Sequence, residues 1–133
     1  MKRIALALFL GMFSVAWAAE SVSEGVPHLS GGVGDEEMLA MRERAADFNL
    51  RLLFADKTTG HYLAAVKVRI DDAQGRQILE AKADGPLFYA KLAAGRYRLT
   101  VTANGEQQMR PITIRPGLPA EAVFYWIGRD SSM

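Results

Sequence analysis

From residue 48 onward, apolar and polar residues alternate in short runs separated by Gly, Pro, Asn and Asp. A period of two marks half-buried β-strands, because successive side chains leave opposite faces of a pleated strand. The clearest run spans residues 92–103. After Gly95, the residues Tyr97, Leu99, Val101 and Ala103 alternate with Arg96, Arg98, Thr100 and Thr102. This reads as the central strand. Gly95 lets the chain turn without Cβ strain just before it. Tyr97 enters the core face at the strand's start, where a buried tyrosine needs a partner for its hydroxyl, and this makes it a structural residue.

Six more strands follow from the same pattern. Phe48, Leu50, Leu52 and Phe54 share one face of the first. Residues 62–70 form the second, with Val66, Val68 and Ile70 inward and Lys67 and Arg69 outward. The others are residues 76–83, 87–91, 107–115 and 120–127. Turn chemistry separates them at Lys57-Thr58-Thr59-Gly60, Asp71-Asp72-Ala73-Gln74-Gly75, Asp84-Gly85-Pro86, Asn104-Gly105 and Pro116-Gly117-Leu118-Pro119. Pro111 puts its strand at an edge or a bulge, since proline cannot donate to a central ladder. Seven short strands at this spacing predict an all-β fold. The expected form is a seven-stranded Greek-key β-sandwich, prealbumin-like or immunoglobulin-like, with one short N-terminal helix.

The chain before residue 48 is organised differently. Residues 1–18 carry Lys2 and Arg3, an apolar run and then Ala16-Trp17-Ala18, the layout of a secretory signal peptide cleaved after Ala18. The alternative is an uncleaved anchor helix, for which the apolar run is short against a ~30 Å bilayer core. Residues 19–34 are rich in Gly and Ser without a period and predict a flexible N-terminal arm, able to touch the domain through Val26, Leu29 and Val33. Residues 35–47 predict a helix with Asp35 as N-cap and Glu36 and Glu37 in the first turn. Met38, Met41 and Ala45 would pack it on the sandwich. Residues 48–127 form the sandwich, and residues 128–133 a polar C-terminal tail.

Charge and cysteine content narrow the function. Sixteen Lys and Arg fall to 14 when Lys2 and Arg3 leave with the signal, against 15 Asp and Glu, so the net charge passes from +1 to about −1. Bulk charge therefore gives no support to nucleic-acid binding. With no cysteine, a disulfide framework, a thiolate metal site and a cysteine nucleophile are excluded. An exported chain of this kind points to the periplasm, with no membrane span after signal cleavage.

Catalytic patterns are missing. No Ser, His and acid set and no Gly-rich phosphate loop stand out. His28 lies in the arm and His61 in a turn, both read as solvated, without metal-ligand spacing. Asp71, Asp72 and Asp84 lack the spacing of a calcium loop. Hence no catalytic residue, metal or cofactor is expected. The outward basic residues Lys67, Arg69, Arg96, Arg98, Arg110 and Arg115 form a candidate surface for an acidic glycan, lipid head group or protein. Ordinary solvated strand faces are the competing reading. Among Tyr62, Phe88, Tyr89, Tyr125 and Trp126, some could form an exposed platform for sugar, with core packing the competing role. The expectation is a non-enzymatic exported binding or interaction module, engaging an envelope protein or a glycan. The alternative is a structural accessory subunit docking on another envelope protein.

Three segments in order carry a resemblance: Gly60-His61-Tyr62-Leu63-Ala64-Ala65-Val66-Lys67-Val68, Asp72-Ala73-Gln74-Gly75 and Leu92-Ala93-Ala94-Gly95-Arg96-Tyr97. Together they resemble the carboxypeptidase regulatory-like domains, β-sandwiches similar to transthyretin. The chain is also similar to small exported bacterial proteins in which the helix, Asn49-Leu50-Arg51-Leu52 and Asp84-Gly85-Pro86 form one unit. The resemblance implies fold and no chemistry. Transthyretin-like hydroxyisourate hydrolases end in Tyr-Arg-Gly-Ser, whereas this chain ends Gly128-Arg129-Asp130-Ser131-Ser132-Met133. Residues 120–127 hold no Asn or Asp for the isopeptide bond of collagen-adhesin-type sandwiches.

Overall fold

The computed structural model describes residues 21–23 and 25–127. The expected signal peptide, its cleavage site and the C-terminal tail lie outside the described residues. The elements in order are β1 (Ser21–Ser23), β2 (Val26–Gly31), α1 (Asp35–Arg44), a 3-10 turn (Ala45–Asp47), β3 (Leu50–Asp56), β4 (Lys67–Asp72), β5 (Gln77–Lys82), β6 (Leu87–Ala90), β7 (Gly95–Ala103), β8 (Glu106–Ile114) and β9 (Ala120–Trp126). They build two sheets, one ordered β1-β2-β6-β3-β9 and the other β5-β4-β7-β8. The chain is thus an all-β sandwich with one short helix.

Alternation explains the core. Leu50, Leu52, Phe54 and Phe88 project from one sheet, and Val68, Ile70, Leu79, Leu99 and Val101 from the other, all fully buried. At ~25 cal/mol per Å² of apolar surface removed from water, this layer is the main favourable term. Phe54, Phe124 and Trp126 meet at one end with ring centroids 6.0–6.3 Å apart.

The seven expected strands correspond to β3 through β9. The described residues hold more strands than seven: β2 makes eight, and the three-residue β1 is a further short edge piece. The surplus corrects the reading of residues 19–34 as a flexible arm. β2 pairs antiparallel with β6 in the register His28↔Ala90 to Gly31↔Leu87, and Val26 and Leu29 are buried. His28, expected in solvent, is buried and stacks on Phe88 with centroids 5.7 Å apart. The physical reason is backbone pairing. An open sheet edge offers hydrogen bonds to any extended segment, and Ser, Pro and Gly do not announce it by period.

Three local departures have similar causes. β4 starts at Lys67 because Ala65 sits in the left-handed region with φ 63° and breaks the extended chain before it. Phe48 leaves the face of Leu50, since the 3-10 turn swings it to the other side of the sheet. Gly34, rather than Asp35, caps α1; the Glu37 carboxylate accepts from the Gly32 and Val33 N–H groups at 2.8 and 2.7 Å. Asp35, Glu36 and Glu37 in the first turn and Arg42 and Arg44 in the last suit the helix dipole.

α1 packs on the outer face of the five-stranded sheet. Met41 is buried with Leu29, Phe48, Leu87 and Tyr89 in a second apolar cluster, with Met38 and Ala45 at its border. The backbone closest to this layer comes together at Gly31 and Gly85. A Cβ built on Gly85 would fall inside the van der Waals radius of the Gly31 carbonyl. The Asp84 N–H donates to Ser30 Oγ at 2.9 Å beside it.

Gly85→Ala therefore forces two backbone segments apart and should cost about 1–3 kcal/mol, the range for overpacking. Met41→Ala should cost about 2–5 kcal/mol through a cavity under the helix. Urea denaturation of both variants tests this; an unchanged midpoint for Gly85→Ala would disprove the close crossing.

Candidate functional site

The outer face of the four-stranded sheet is built by register. Lys67 lies opposite Lys82 on β5 and Thr102 on β7; Arg69 lies opposite Glu80 and Thr100; Asp71 lies opposite Arg98. On β8, Thr113 faces Arg96, Pro111 faces Arg98 and Met109 faces Thr100. Residues directly opposite share a face, so Lys67, Arg69, Arg96 and Arg98 stand together as expected, joined by Lys82. Lys82 alternates with buried Leu79 and half-buried Ala81, which marks it as outward in the sequence itself. Five cations thus meet two carboxylates here. Arg69 Nε donates to Asp71 Oδ1 at 2.9 Å, which ties up the middle of the face. Lys67 and Lys82 make no ion pair among the described residues.

Arg110 and Arg115 do not join them. Arg110 is the partner of buried Leu99, so it projects from the inner face of β8. There its guanidinium lies over the Phe124 ring, 4.1 Å from the centroid, and Nη1 reaches the Val123 carbonyl at 3.5 Å. On an edge strand, a long side chain can cover core aromatic surface and still keep its charge at the rim. Arg115 stands past the end of β8, in an isolated bridge to Leu118. The patch of six expected in the sequence therefore loses two members.

Arg110 belongs instead to a seam between β8 and β9, the neighbouring edges of the two sheets. Gln108 Nε2 donates to the Tyr125 carbonyl at 2.7 Å, and Trp126 Nε1 to the Glu106 carbonyl at 3.1 Å. Side chains close this flank where a backbone ladder does not. Asn49 closes another join, donating to the Leu92 carbonyl at 2.8 Å and accepting from the Leu92 N–H at 2.9 Å.

Tyr97 lies on the inward side of β7 but is only half-buried, and its hydroxyl is exposed rather than buried as expected. Gly95 starts β7 at φ 155°, at the limit of the region that favours glycine, and the Tyr97 ring packs beside the main core. The Tyr97 hydroxyl donates to the Ala93 carbonyl at 2.6 Å. Burial raises the Tyr97 phenol above its ordinary value, and the Asp72 carboxylate adds to the shift. Burial likewise raises Tyr89. Asp72 is lowered, first by the Arg76 N–H it accepts at 2.9 Å, and its second acceptor bond, from the Gln74 N–H, acts the same way. That is hairpin chemistry: the carboxylate organises the β4–β5 turn.

The outer face of the five-stranded sheet is divided. Tyr89 is buried under α1, while Phe88 and Trp126 face the core. Tyr62 and Tyr125 remain exposed, at 51% and 53%. Both are neighbours of Ala55: Tyr125 through the parallel β3–β9 ladder and Tyr62 through an isolated antiparallel bridge. The bridge rests on Asp56 N–H to His61 O at 2.7 Å and Leu63 N–H to Phe54 O at 3.0 Å. Val123 follows Tyr125 on the same exposed face, opposite Leu53.

Elsewhere, a cleft between α1 and β2 is lined by charged side chains of both signs, among them Glu37, Glu43, Lys82 and Asp84. Among the described residues, no three His, Asp or Glu side chains gather closely enough to hold a metal ion. No described helix is long and apolar enough to cross a membrane. No family model matches the sequence, and no curated protein matches it.

Tyr97→Phe should cost about 0.5–1.5 kcal/mol, the net worth of one hydrogen bond. Tyr97→Ala should cost about 2–3 kcal/mol, below the ~3–5 of a fully buried ring. Arg98→Ala should stay within about 0.5 kcal/mol. Equal damage from Arg98→Ala and Tyr97→Ala in urea melts would refute the inward and outward assignment of β7.

A raised phenol favours the neutral form in the fold. Its contribution is complete below the ordinary tyrosine value of 10.0 and is lost as pH rises through the folded value. Stability should hold up to that pH and then fall, with a shallower fall in Tyr97→Phe. An identical alkaline limb in both proteins would rule the shift out.

Proposed function

We propose that this chain is a non-enzymatic, exported binding module of a bacterial cell envelope, working in the periplasm. Its recognition surface is the outer face of the four-stranded sheet, and its partner is anionic, a glycan or protein bearing carboxylate, sulfate or phosphate groups. The observation that carries this reading is the pair Lys67 and Lys82, held directly opposite each other on neighbouring strands. Like charges so placed destabilise a sheet; Lys82 borders Glu37, Glu43 and Asp84, and an external anion on the face relieves Lys67 and its neighbours. Arg69, Arg96 and Arg98 extend the same face, and Thr100, Thr102 and Gln107 add hydrogen-bonding groups across a shallow depression.

The strand grouping supports the transthyretin-like, Greek-key form of the sandwich. Counted from β3 as first, the seven strands group as 4-1-7 and 3-2-5-6. The immunoglobulin arrangement would place the first, second, fourth and fifth strands in one sheet. Docking on an envelope protein through α1 has less support, because the helix turns Met38 and Met41 onto its own sandwich and Leu39 is its one exposed large apolar side chain.

The test is retention on immobilised dextran sulfate at rising salt. The protein should bind at low ionic strength and be released as salt screens the face. Joint replacement Lys67→Glu and Lys82→Glu should weaken binding at least about tenfold, equivalent to about 1.4 kcal/mol. Arg110→Ala, on the other face of its strand, should leave retention unchanged. Retention that survives the double reversal would sink the proposal.

A further inference from the structure

The shelf formed by Tyr62, Ala55 and Tyr125 lies on the opposite sheet from the basic face and is independent of it. We infer that this shelf is a second binding site, which takes a flat, β-1,4-linked glycan chain lying across the strands.

The register carries the inference. Ala55 pairs with Tyr125 on one side and Tyr62 on the other, so the three side chains stand in a row on one face. Adjacent strands are about 4.8 Å apart, so the two tyrosines are separated by about twice that. Each strand step is close to the advance of one sugar along an extended glycan. The first sugar then lies on Tyr125, the second over Ala55 and the third on Tyr62. In a β-1,4 ribbon consecutive sugars are turned over and alternate ones present the same face. Both rings therefore meet equivalent C–H faces. Ala55, the only one of the three without a ring, is buried at 5% exposure, so the middle sugar bridges between the two rings and packs on neither Ala55 nor open backbone.

The choice of residue fits the same ligand. A tyrosine offers an apolar ring for C–H groups and a hydroxyl for the sugar's own hydroxyls, at low conformational cost. Val123 on β9 and Ile127 just past its end extend the apolar surface, at 37% and 68% exposure. A second polypeptide strand is the weaker occupant. The β9 edge it would need is already engaged, with the Tyr125 carbonyl accepting from Gln108 Nε2 at 2.7 Å and the Val123 carbonyl reached by Arg110. A flat sugar chain needs the face and leaves that edge alone.

Isothermal titration of the protein, purified from cells expressing the full sequence, with cellohexaose, chitohexaose and maltohexaose tests the site. At least one of the two β-1,4 hexasaccharides should bind, and the α-linked, helically wound maltohexaose should not. Tyr62→Ala and Tyr125→Ala should each weaken binding at least tenfold, Tyr125→Trp should retain it, and Lys67→Glu should leave it unchanged. In the unaltered protein, amide chemical-shift changes on titration should centre on Ala55, Tyr62 and Tyr125, a readout that does not depend on any variant folding. Absence of binding to both β-linked sugars overturns the inference. So does equal binding of maltohexaose, or shifts centred elsewhere. A dimer that Tyr125→Ala converts to monomer would reassign the shelf to contact between copies of the chain.

Discussion

The parallel pairing of β3 with β9 is the constraint on which the rest depends. It runs through seven register pairs, from Leu50↔Ala120 to Asp56↔Trp126. It joins the strand that opens the sandwich to the strand that ends it. Everything between must leave and return, so β4 through β8 are laid down inside one long closed loop, while β1 and β2 join the sheet from outside it. Such contacts repay their loop entropy only once both ends are in place. The same ladder brings Phe54 against Phe124 and Trp126, sets the Arg51–Glu121 ion pair at 3.0 Å, and aligns the outer-face rows.

Two sheets facing each other leave two open flanks, and the chain treats them differently. On one flank, β8 and β9 meet through side chains, with Gln108 and Trp126 bonding backbone carbonyls and Arg110 lying over Phe124. On the other, β2 adds backbone to β6 and buries His28, while β1 passes beside β5. Both solutions cover edges that would otherwise template association. Arg110 shows the cost to sequence reading: a charge that looks like surface is part of the closure.

The two outer faces have different chemistry because only one is roofed. The four-stranded sheet turns Lys, Arg, Thr and Gln to water, with Glu80 and an exposed Met109 among them. The five-stranded sheet turns Leu29, Leu87 and Tyr89 under α1, and Arg42 and Ala45 border a depression shared with Ala122 and Val123 of β9. Tyr62, Tyr125 and Val123 stay exposed on that face.

Local pattern alone gives β3 through β9, the inward side of β7 and the packing of α1 through Met41, and it misses β1 and β2. Each of these rests on local period or turn chemistry, which neighbouring residues reveal. It could also have placed Arg110 inward, in step with Ile112 and Ile114, had exposed Met109 not suggested the opposite phase. Long-range packing settles that residues 26–31 pair with β6, that Lys67 faces Lys82, and that Tyr62 and Tyr125 flank Ala55. Those are statements of register between segments up to 70 positions apart. Register is set by which whole arrangement buries the core and satisfies the backbone together, and no window of sequence contains that choice.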